Sequence, residues 1–572
     1  MTEMQYWTHD RVSRRGVLRG AGIVGAGLSA AALVGCSSSS KQETPAAQNA
    51  GASGGSGATV QRTGTLRIVG NKLAESFNPF TMISQGAEYW GLWGNLAIRA
   101  NKQTSKLDPS LVESWEVKSP TEIAFKIRKG VLFHDKAPTN GREFNAEDLA
   151  YSINRHAGLL DPQKIALYPR RTNFRGMTKA EAVDASTVVL KMSKPNSAIL
   201  NGLTDMRTPI LATETKDSDF IDPNLLTGTG PWVGKQLNKD GGGTYVANTK
   251  YWEPGLPKVA GIERTYIDTR PAIVAAFIGD TIDVLTMNTL PYSEVKSVAE
   301  RRPDAKQMQW EYGFMHFCRF NCAKAPFNDE RVRTAFRLVV DVKAMGDAYF
   351  GPIWDYSGPI SPTWVQEGIP SAEIKKRPGW NPDTKEQDIT EAKRLMAAAG
   401  FPEGLPSVTM LPHSTPANTA NAERVRAQWN KVWPKTKLTF DGPHDSVPFL
   451  AKVAAGQFDL LTYALSSTSD GADEFATFFS TDGSKNYGKF SDPEVDKLNE
   501  QAVGEYDTTK RTKLVKDATE IVIAKSPMAP FFNPKQVAFL NPKWQGIEGF
   551  PGPAGFRDND IIEGTKFVTL KA

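Results

Sequence analysis

The chain has 572 residues, of which 40% are hydrophobic and 23% charged, with a formal net charge of +5. Acidic and basic residues are nearly balanced, which argues against a nucleic-acid-binding protein. The roughly 500 residues from Gly64 onward exceed what one hydrophobic core can organise and predict two or three cores.

The amino-terminal residues have the pattern of an export leader. A twin-arginine sequence, SRRGVLR, occupies residues 13–19, and a Gly/Ala-rich apolar stretch follows it. This stretch is too short and too rich in glycine for a spanning helix, so we expect residues 1–35 to be a removable signal peptide. Small residues followed by Cys36 match the lipid-attachment pattern, whereas a buried cysteine in an apolar helix is the alternative. The pattern predicts an exported protein, anchored by lipid to the cell membrane and facing the periplasm or cell exterior.

Residues 36–63 are rich in Ser, Gly and Ala and contain almost no large apolar side chains. Such a segment cannot bury enough surface to offset its ordering entropy, which predicts a flexible tether behind the lipidated cysteine. Its r.m.s. reach would be roughly 28 Å.

Histidines and acids are concentrated between Ala124 and His156 as they are in many active sites. The pattern nevertheless favours a scaffold, because β-forming residues come first and Asn145 then precedes a helix with acids in its first turn. Asn145 and Asp148 have the spacing of a capping box, and acids at this position also favour the helix dipole. The pair His134–Asp135 is predicted to lie in a surface turn rather than to act as a base and its orienter.

Helices alternate with short strands in the rest of the chain, which indicates α/β organisation. Gly241–Gly243 separates two strand-like runs, as a hairpin turn would. Asp329, Asp388 and Ser491 are predicted helix caps, and Gly400 is predicted to end the helix that Asp388 begins. The sequence FDLLTYAL is a predicted strand.

The sequence FMHFCRFNC is the candidate for a metal site. If it is a strand, His316, Cys318 and Cys322 share one face, with the cysteines roughly 13 Å apart, too far for a disulfide. A Cys/His metal site and plain apolar filling are the two interpretations. We find no His-Glu-x-x-His, paired Cys-x-x-Cys or phosphate-loop pattern. We therefore predict no catalytic residues, no bound metal and no cofactor.

The segment LVESWEVKSPTEIAFKIRKGVLFHDKAPTNGREFNAEDLAYSINR, residues 111–155, resembles the hallmark of the family 5 extracellular solute-binding proteins of ABC importers. It departs from the family pattern at Lys136, where a turn glycine is usual. Further matching segments follow in the family's order: SFNPFT precedes the hallmark, and GTGPW, NTKYWEPGLPKV, AAFIGDTIDVL, FNCAKAPFNDERVRTAFRLVVD, ITEAKRLMAAAGF and YGKFSDPEVDKL come after it.

The resemblance implies an α/β, periplasmic-binding-protein-like fold with two lobes joined by a hinge and an additional small domain (cluster C type). The implied solute-binding domain covers residues 64–572. The implied parts are lobe I (residues 64–105, 228–315 and 535–572), the small domain (residues 106–227), lobe II (residues 316–534) and hinge strands near Cys318–Asn321 and Phe531–Lys535.

The resemblance also implies a monomeric substrate-binding lipoprotein that captures a solute, in most relatives a peptide, and delivers it to a membrane permease. Binding of a non-peptide solute, such as an oligosaccharide or a nickel complex, is the first alternative. A receptor or chaperone-like module without a transporter is the second. A secreted hydrolase is the third, and it would require a nucleophile or metal cluster that the sequence does not display.

Peptide-binding relatives hold the peptide's free amine with an aspartate after the strand that corresponds to FDLL. An ungapped alignment on EFATFFS places Ser467 at that position, Ala464 at a neighbouring Trp and Asp470 at a structural Asp. A neutral hydroxyl cannot neutralise an ammonium group. A three-residue shift would instead restore Asp470 to the amine-binding role, so both alignments stay open.

The other implied ligand-binding residues come from two segments. Ser84, Gln85 and Gly86 follow the SFNPFT segment, where relatives present backbone to the ligand. Tyr89 and Trp90, with Trp93 beyond them, could stack on a sugar or simply pack in the core. His316 and Phe317 occupy a strand where relatives place aromatic ligand contacts.

Overall fold

The structure is a computed structural model that describes residues 62–70, 77–81, 92–100, 106–240, 242–287, 291–311, 313–364, 366–465, 471–547 and 564–571. The predicted leader, Cys36 and most of the predicted tether lie outside the described residues. Within the described ranges, no helix combines the length and the hydropathy needed to cross a membrane.

Strands and helices alternate along most of the described chain. The strands are β1 (Thr65–Gly70), β2 (Ile98–Ala100), β3 (Leu107–Pro109), β4 (Val112–Ser119), β5 (Glu122–Ile127), β6 (Met177–Asp184), β7 (Thr187–Met192), β8 (Trp232–Leu237), β9 (Gly243–Ala247), β10 (Gly261–Tyr266), β11 (Val284–Met287), β12 (Lys306–Glu311), β13 (Met315–Phe320), β14 (Trp354–Tyr356), β15 (Ser407–Pro412), β16 (Lys437–Phe440), β17 (Leu460–Leu465), β18 (Met528–Leu540), β19 (Trp544–Gln545) and β20 (Thr569–Leu570). The helices are α1 (Ala146–His156), α2 (Ile199–Gly202), α3 (Arg270–Ile278), α4 (Tyr292–Arg301), α5 (Glu330–Val339), α6 (Val342–Phe350), α7 (Ser371–Ile374), α8 (Lys385–Ala398), α9 (Pro416–Val432), α10 (Ser446–Ala454), α11 (Gly471–Phe479), α12 (Pro493–Gly504) and α13 (Thr508–Lys525).

The largest sheet has the order β16-β15-β17-β13-β18-β11-β1-β10-β9-β8, and β12 and β14 also pair with β18. Strands β15, β16 and β17 are parallel to one another, as are β1, β10 and β11. The mixed parallel and antiparallel sheet, with helices between its strands, confirms the predicted α/β class.

One long strand, β18, joins the two ends of this sheet. Residues up to Pro534 pair with β13 and β14, and residues from Lys535 onward pair with β12 and β11. The sheet thus has two groups of strands: β16, β15, β17, β13 and β14 on one side, and β12, β11, β1, β10, β9 and β8 on the other. The chain crosses between these groups a second time where β12 leads to β13. The expected hinge segment Phe531–Lys535 contains the change of partners on β18, whereas Cys318–Asn321 covers the end of β13.

A separate sheet, β4-β5-β7-β6, carries α1 against one face. The predicted capping box is confirmed: Asn145 accepts hydrogen bonds from the first turn of α1, and Asp148 accepts one from the Asn145 backbone. Leu149 and Ile153 are fully buried against the sheet. The local sequence therefore begins this helix and places its apolar face inward.

Buried hydrophobic residues form four clusters in the described chain rather than the predicted two or three. The difference arises at β13, whose residues are all buried and alternate between two clusters. Cys318 and Phe320 belong to one cluster, and Met315 and Phe317 belong to the other. A central strand covered on both faces serves two cores, which composition could not indicate.

The predicted helix caps have mixed outcomes. Asp329 caps α5 as predicted, and Gly400, with φ +91°, follows the end of α8 as predicted. Asp388 is not a cap: it lies inside α8, is buried, and accepts a hydrogen bond from Gly379 N at 2.8 Å. The cap predicted at Ser491 is wrong by one residue, because Asp492 accepts the backbone hydrogen bonds that begin α12.

Asp283 ties three segments of the large sheet together. Its buried carboxylate accepts hydrogen bonds from the Arg67 backbone at 2.8 Å and from the Arg67 guanidinium at 2.8 and 3.1 Å. Lys543 Nζ lies 2.8 Å from the same carboxylate. Burial alone would raise the pKa of Asp283, but the hydrogen bonds from Arg67 and Lys543 hold it below its ordinary value.

We expect Asp283→Asn to lower the free energy of unfolding by about 1.5–3 kcal/mol at pH 7, because it removes the buried charge that accepts hydrogen bonds from Arg67 and pairs with Lys543. The folded-state pKa is depressed, so this stabilisation is present above the unfolded carboxyl pKa and is lost as the pH falls through the folded value. The difference between wild type and variant should therefore shrink on acidification. Urea denaturation from pH 7 to pH 3 measures it.

The matched control is Glu403→Gln, which removes an exposed carboxylate 2.9 Å from Lys435 and should change stability by less than about 1 kcal/mol. Equal losses in the two variants at pH 7 would contradict the structural role assigned to Asp283.

Candidate functional site

Three parallel strands end at the same edge of the large sheet. Met410 of β15 is level with Leu460 of β17 and with Phe440 of β16, so the carboxyl ends of these strands lie together. Each strand is followed by a loop and a helix: α9 after β15, α10 after β16 and α11 after β17. In open α/β sheets, ligands bind outside the carboxyl ends of the strands. We call this place the carboxyl edge, and it is the candidate site.

The carboxyl edge coincides with the junction of the two groups of strands. Strand β13 runs antiparallel to β17, so its amino end lies at this edge, with His316 opposite Ala464. On its other side His316 is opposite Phe532 of β18. Strand β18 changes partners just beyond that residue, between Pro534 and Lys535. A group bound at the edge would therefore lie beside the point where the strand passes from one group to the other.

The backbone contributes to the electrostatic potential at the carboxyl edge. Helices α9, α10 and α11 all follow strands that end there, so their amino ends face the same region. Each amino end carries partial positive charge from unsatisfied N–H groups, which favours negative or hydrogen-bond-accepting groups nearby.

A buried polar network connects the change of partners on β18 to the first turn of α11. Ser361 Oγ donates to Asn533 Oδ1 at 3.1 Å, and the Ser361 backbone donates to Glu474 Oε1 at 2.9 Å. Trp364 Nε1 donates to the other carboxylate oxygen of Glu474 at 3.0 Å. These contacts fix the orientation of α11, which begins directly after the segment that contains Ser467 and Asp470.

The structure describes two of the nine residues predicted to contact the ligand. His316 and Phe317 are buried on opposite faces of β13. The His316 ring lies 5.3 Å from the Phe532 ring and 5.8 Å from the Phe350 ring, measured between centroids. Phe317 packs in the opposite cluster, with Arg319 above its ring. The other predicted ligand contacts lie outside the described residues: Ser84, Gln85, Gly86, Tyr89, Trp90, Ser467 and Asp470.

Trp93, which follows the predicted aromatic contacts, is fully buried. Its ring packs against Phe77 and Tyr245, with centroid distances of 5.8 and 5.9 Å. The sequence left two roles open for Trp93, stacking on a sugar and core packing, and its buried position matches core packing.

Aromatic rings that the sequence did not single out surround the ends of β15 and β17. The His413 ring lies 4.9 Å from the Tyr463 ring and 5.2 Å from the Phe449 ring. Burial raises the pKa of Tyr463, so its hydroxyl stays protonated. These residues are far apart in the sequence, and only the pairing of parallel strands brings them together.

One serine–histidine pair at the edge has the spacing of a nucleophile and its base. His413 Nε2 lies 3.0 Å from Ser446 Oγ. On the other side of the ring, Nδ1 accepts a hydrogen bond from the Thr415 backbone N–H at 3.2 Å. Nδ1 therefore carries no proton in the neutral ring, and Nε2–H donates to Ser446. Burial lowers the pKa of His413, although Asp445 acts in the opposite direction. This tautomer cannot remove the Ser446 proton.

The sequence predicted no bound metal, and His316, Cys318 and Cys322 were the candidate ligands that it considered. Both cysteines are free thiols, and burial raises the pKa of each, well above the ordinary value for Cys318. Across the described ranges, no three His, Cys, Asp or Glu side chains are grouped as metal ligands.

The histidine and acid residues between Ala124 and His156 have structural contacts. Asp148 is buried and pairs with Arg142 through two hydrogen bonds of 2.7 Å. The prediction that His134 lies on the surface is wrong. It is buried, with Nε2 3.0 Å from the Gly230 carbonyl, and its backbone donates to the Gly228 carbonyl at 2.8 Å.

His134 became buried because the GTGPW segment folds over it. Burial lowers the pKa of His134 to about 4, although its hydrogen bond to Gly230 acts in the opposite direction. The ring is therefore neutral near pH 7. Gly228 and Gly230 also lie against the Trp93 backbone, where a Cβ atom would come within 2.1 and 2.5 Å of the Trp93 carbonyl oxygen. The two glycines allow this close approach.

Comparison with known proteins identifies the family. Residues 106–487 match the model of the bacterial extracellular solute-binding proteins, family 5 middle region. The chain therefore belongs to the family 5 extracellular solute-binding proteins.

Individual relatives cover most of the chain. Heme-binding protein A of Haemophilus influenzae is 27% identical over 80% of this chain and 84% of its own length. Di/tripeptide-binding protein 1 of Pseudomonas aeruginosa is 25% identical over 74% of this chain and 80% of its own length. Among solved structures, HbpA2 from Haemophilus parasuis has a TM-score of 0.73 at 21% identity, covering 89% of this chain and 100% of its own. DppA from Helicobacter pylori, in complex with the peptide STSA, has a TM-score of 0.69 at 20% identity, covering 89% of this chain and 99% of its own.

We expect diisopropyl fluorophosphate to leave the protein unmodified at pH 8, because the His413 tautomer cannot activate Ser446. Intact-mass spectrometry measures the adduct, with a known serine hydrolase as the positive control and Ser446→Ala as the matched variant. An adduct on the wild type that is missing from Ser446→Ala would contradict the assignment of this pair as structural.

Proposed function

We propose that this protein is the solute receptor of an ABC importer, which captures a solute between two lobes and delivers it to a membrane permease. The observation that carries the proposal is the position of the carboxyl edge beside β18, the strand that both groups of strands share. A solute held there would contact residues on both sides of the change of partners.

The lobes follow the boundaries inferred from the sequence. Lobe I comprises residues 64–105, 228–315 and 535–572, lobe II comprises residues 316–534, and residues 106–227 form the small domain. The change of pairing on β18 supports the boundary between residues 534 and 535. A solute that contacts both lobes stabilises the closed form by the difference between its free energies of binding to the two forms.

Peptides are the first candidate ligand class. Curated relatives are named for dipeptides, tripeptides, murein peptide and glutathione, and one is named for heme. In the ungapped alignment Ser467 replaces the acid that binds the peptide amine, so a solute without a free amine is the alternative. An oligosaccharide or a nickel complex belongs to that alternative class.

No bond-making step is part of the proposed function. The unsuitable tautomer of His413 and the structural contacts of Asp148 support a binding role over the secreted-hydrolase alternative. A receptor or chaperone-like module would use the same edge, and the presence of a cognate permease distinguishes it from the importer component.

The proposed location follows from the leader. The twin-arginine pattern at residues 13–19 would direct export of the folded chain. Lipid on Cys36 would then anchor it to the cell membrane, facing the periplasm or exterior. The tether up to residue 63 would let the monomeric receptor reach the permease.

We expect the radius of gyration to fall when the native solute binds, because binding stabilises the closed form. The solute is first identified by mass spectrometry after release from the purified protein. Small-angle scattering then measures the compaction, and the melting curve measures the added stability, RT ln(1 + [L]/Kd). A higher melting temperature without compaction would contradict lobe closure and indicate a rigid pocket.

We expect free-amine dipeptides to bind weakly to the wild type and better to Ser467→Asp, by about 1.5–3 kcal/mol, because the new carboxylate would bind the ammonium group. Asp470→Asn should lower stability without changing the ligand preference. Calorimetry with a dipeptide and its N-acetylated form measures both effects.

The matched control is Ser469→Asp, which adds the same charge two residues away and should gain less. Tight wild-type binding of the free-amine dipeptide, lost on acetylation and in Asp470→Asn, would contradict the ungapped alignment and assign the amine to Asp470.

A further inference from the structure

Three buried polar side chains meet on one face of β13. His316 comes from the amino end of β13, and Asn418 and Asn421 come from the first two turns of α9. Their exposed fractions are 3%, 2% and 1%. The rings of Phe350 and Phe532 flank the imidazole. Polar groups so deeply buried normally have their hydrogen bonds completed.

The hydrogen bonds within this cluster leave part of it unused. Asn421 Nδ2 lies 3.3 Å from His316 Nδ1, and Asn418 Nδ2 donates to Thr415 Oγ1 at 2.6 Å. In the part of the chain that the structure describes, His316 Nε2, Asn418 Oδ1 and Asn421 Oδ1 are buried and have no hydrogen-bond partner. An unpaired buried donor or acceptor destabilises a protein. Three such atoms on adjacent side chains therefore indicate a place where another molecule completes the hydrogen bonds.

The protonation of His316 defines what the cluster offers. Burial lowers the pKa of His316 to about 4, although the neighbouring Asn418 side chain, whose oxygen lies too far away for a well-formed hydrogen bond, acts in the opposite direction. The ring is therefore neutral at physiological pH. The Asn421 amide donates to Nδ1, which places the ring proton on Nε2. The cluster thus presents one donor, His316 Nε2–H, two acceptors, the asparagine oxygens, and no formal charge.

Charged groups do not match this arrangement. A carboxylate would lie against two amide oxygens, and an ammonium group would lose its hydration without gaining a counter-charge. A hydroxyl group matches, because its oxygen can accept from His316 Nε2–H while its hydrogen is donated to an asparagine oxygen.

We propose that His316, Asn418 and Asn421 form a subsite at the carboxyl edge that binds a neutral hydroxyl group of the solute. This inference rests on the proposed function, because the solute must reach the edge. The subsite selects among solutes by their hydroxyl groups, since a site built to bond a hydroxyl rejects an analogue that lacks one.

The test uses two pairs of probes that differ by one hydroxyl group. The first pair is seryl-leucine and alanyl-leucine, and the second is methyl glucoside and its 6-deoxy analogue. Isothermal titration measures the affinity of each probe for the wild type, Asn418→Leu and Asn421→Leu. The matched control is Asn499→Leu on α12. It removes a buried amide that donates a hydrogen bond to Ser480 Oγ at 3.0 Å.

In the wild type we expect the hydroxyl-bearing member of at least one pair to bind tenfold more tightly or better. Both subsite variants should reduce this preference to less than threefold, and Asn499→Leu should retain it. The melting temperature of Asn421→Leu, which also loses the amide that donates to His316 Nδ1, checks that this variant is folded.

The outcomes separate the two proposals. Equal wild-type binding of both members of every pair, or a preference that survives in both subsite variants, would overturn the subsite alone. Altered melting temperatures with an unchanged preference would overturn it in favour of a structural water. Failure of all four probes to bind the wild type would overturn the subsite as a selector of these hydroxyl groups, whereas the proposed function is tested separately by compaction with the released solute.

Discussion

The backbone pairing of β18 is the constraint on which the rest of the structure depends. This strand, Met528–Leu540, is buried along its length except at Lys535, which is partly exposed. It supplies hydrogen bonds to two groups of strands in turn, so neither group has a complete sheet without it. Strands β12 and β13, on either side of the second crossing, also pair with β18. Three of the four hydrophobic clusters are thereby connected through one element rather than through separate interfaces.

The candidate site follows from the same pairing. Because β13 is antiparallel to both β17 and β18, its amino end must lie beside the carboxyl ends of the parallel strands. His316 is therefore held between Ala464 and Phe532 by register alone. The network from Asn533 through Ser361 to Glu474 adds a side-chain connection between the change of partners on β18 and α11. Buried hydrogen bonds thus link that point to the first turn of α11.

Local features of the sequence predicted local structure well. The α1 capping box, the Asp329 cap and the FDLLTYAL strand depend on neighbouring residues, and all were correct. Asp388 was misassigned because its spacing to Glu391 imitates a capping box inside a helix, where the buried carboxylate instead binds Gly379 N. His134 was misplaced because the Gly228–Gly230 segment that buries it lies far away in the sequence. The asparagines of α9 gave no chemical signal, since polar residues on a helix usually face solvent.

The central claim is that a solute binds at the carboxyl edge beside β18. Hydrogen–deuterium exchange of the purified protein, with and without the solute released from it, tests this most directly. The account predicts slower exchange in the segments around His316, around Thr415 and between Leu465 and Phe475, with little change in the β4-β5-β7-β6 sheet. Protection confined to that small sheet, with none at the carboxyl edge, would contradict it.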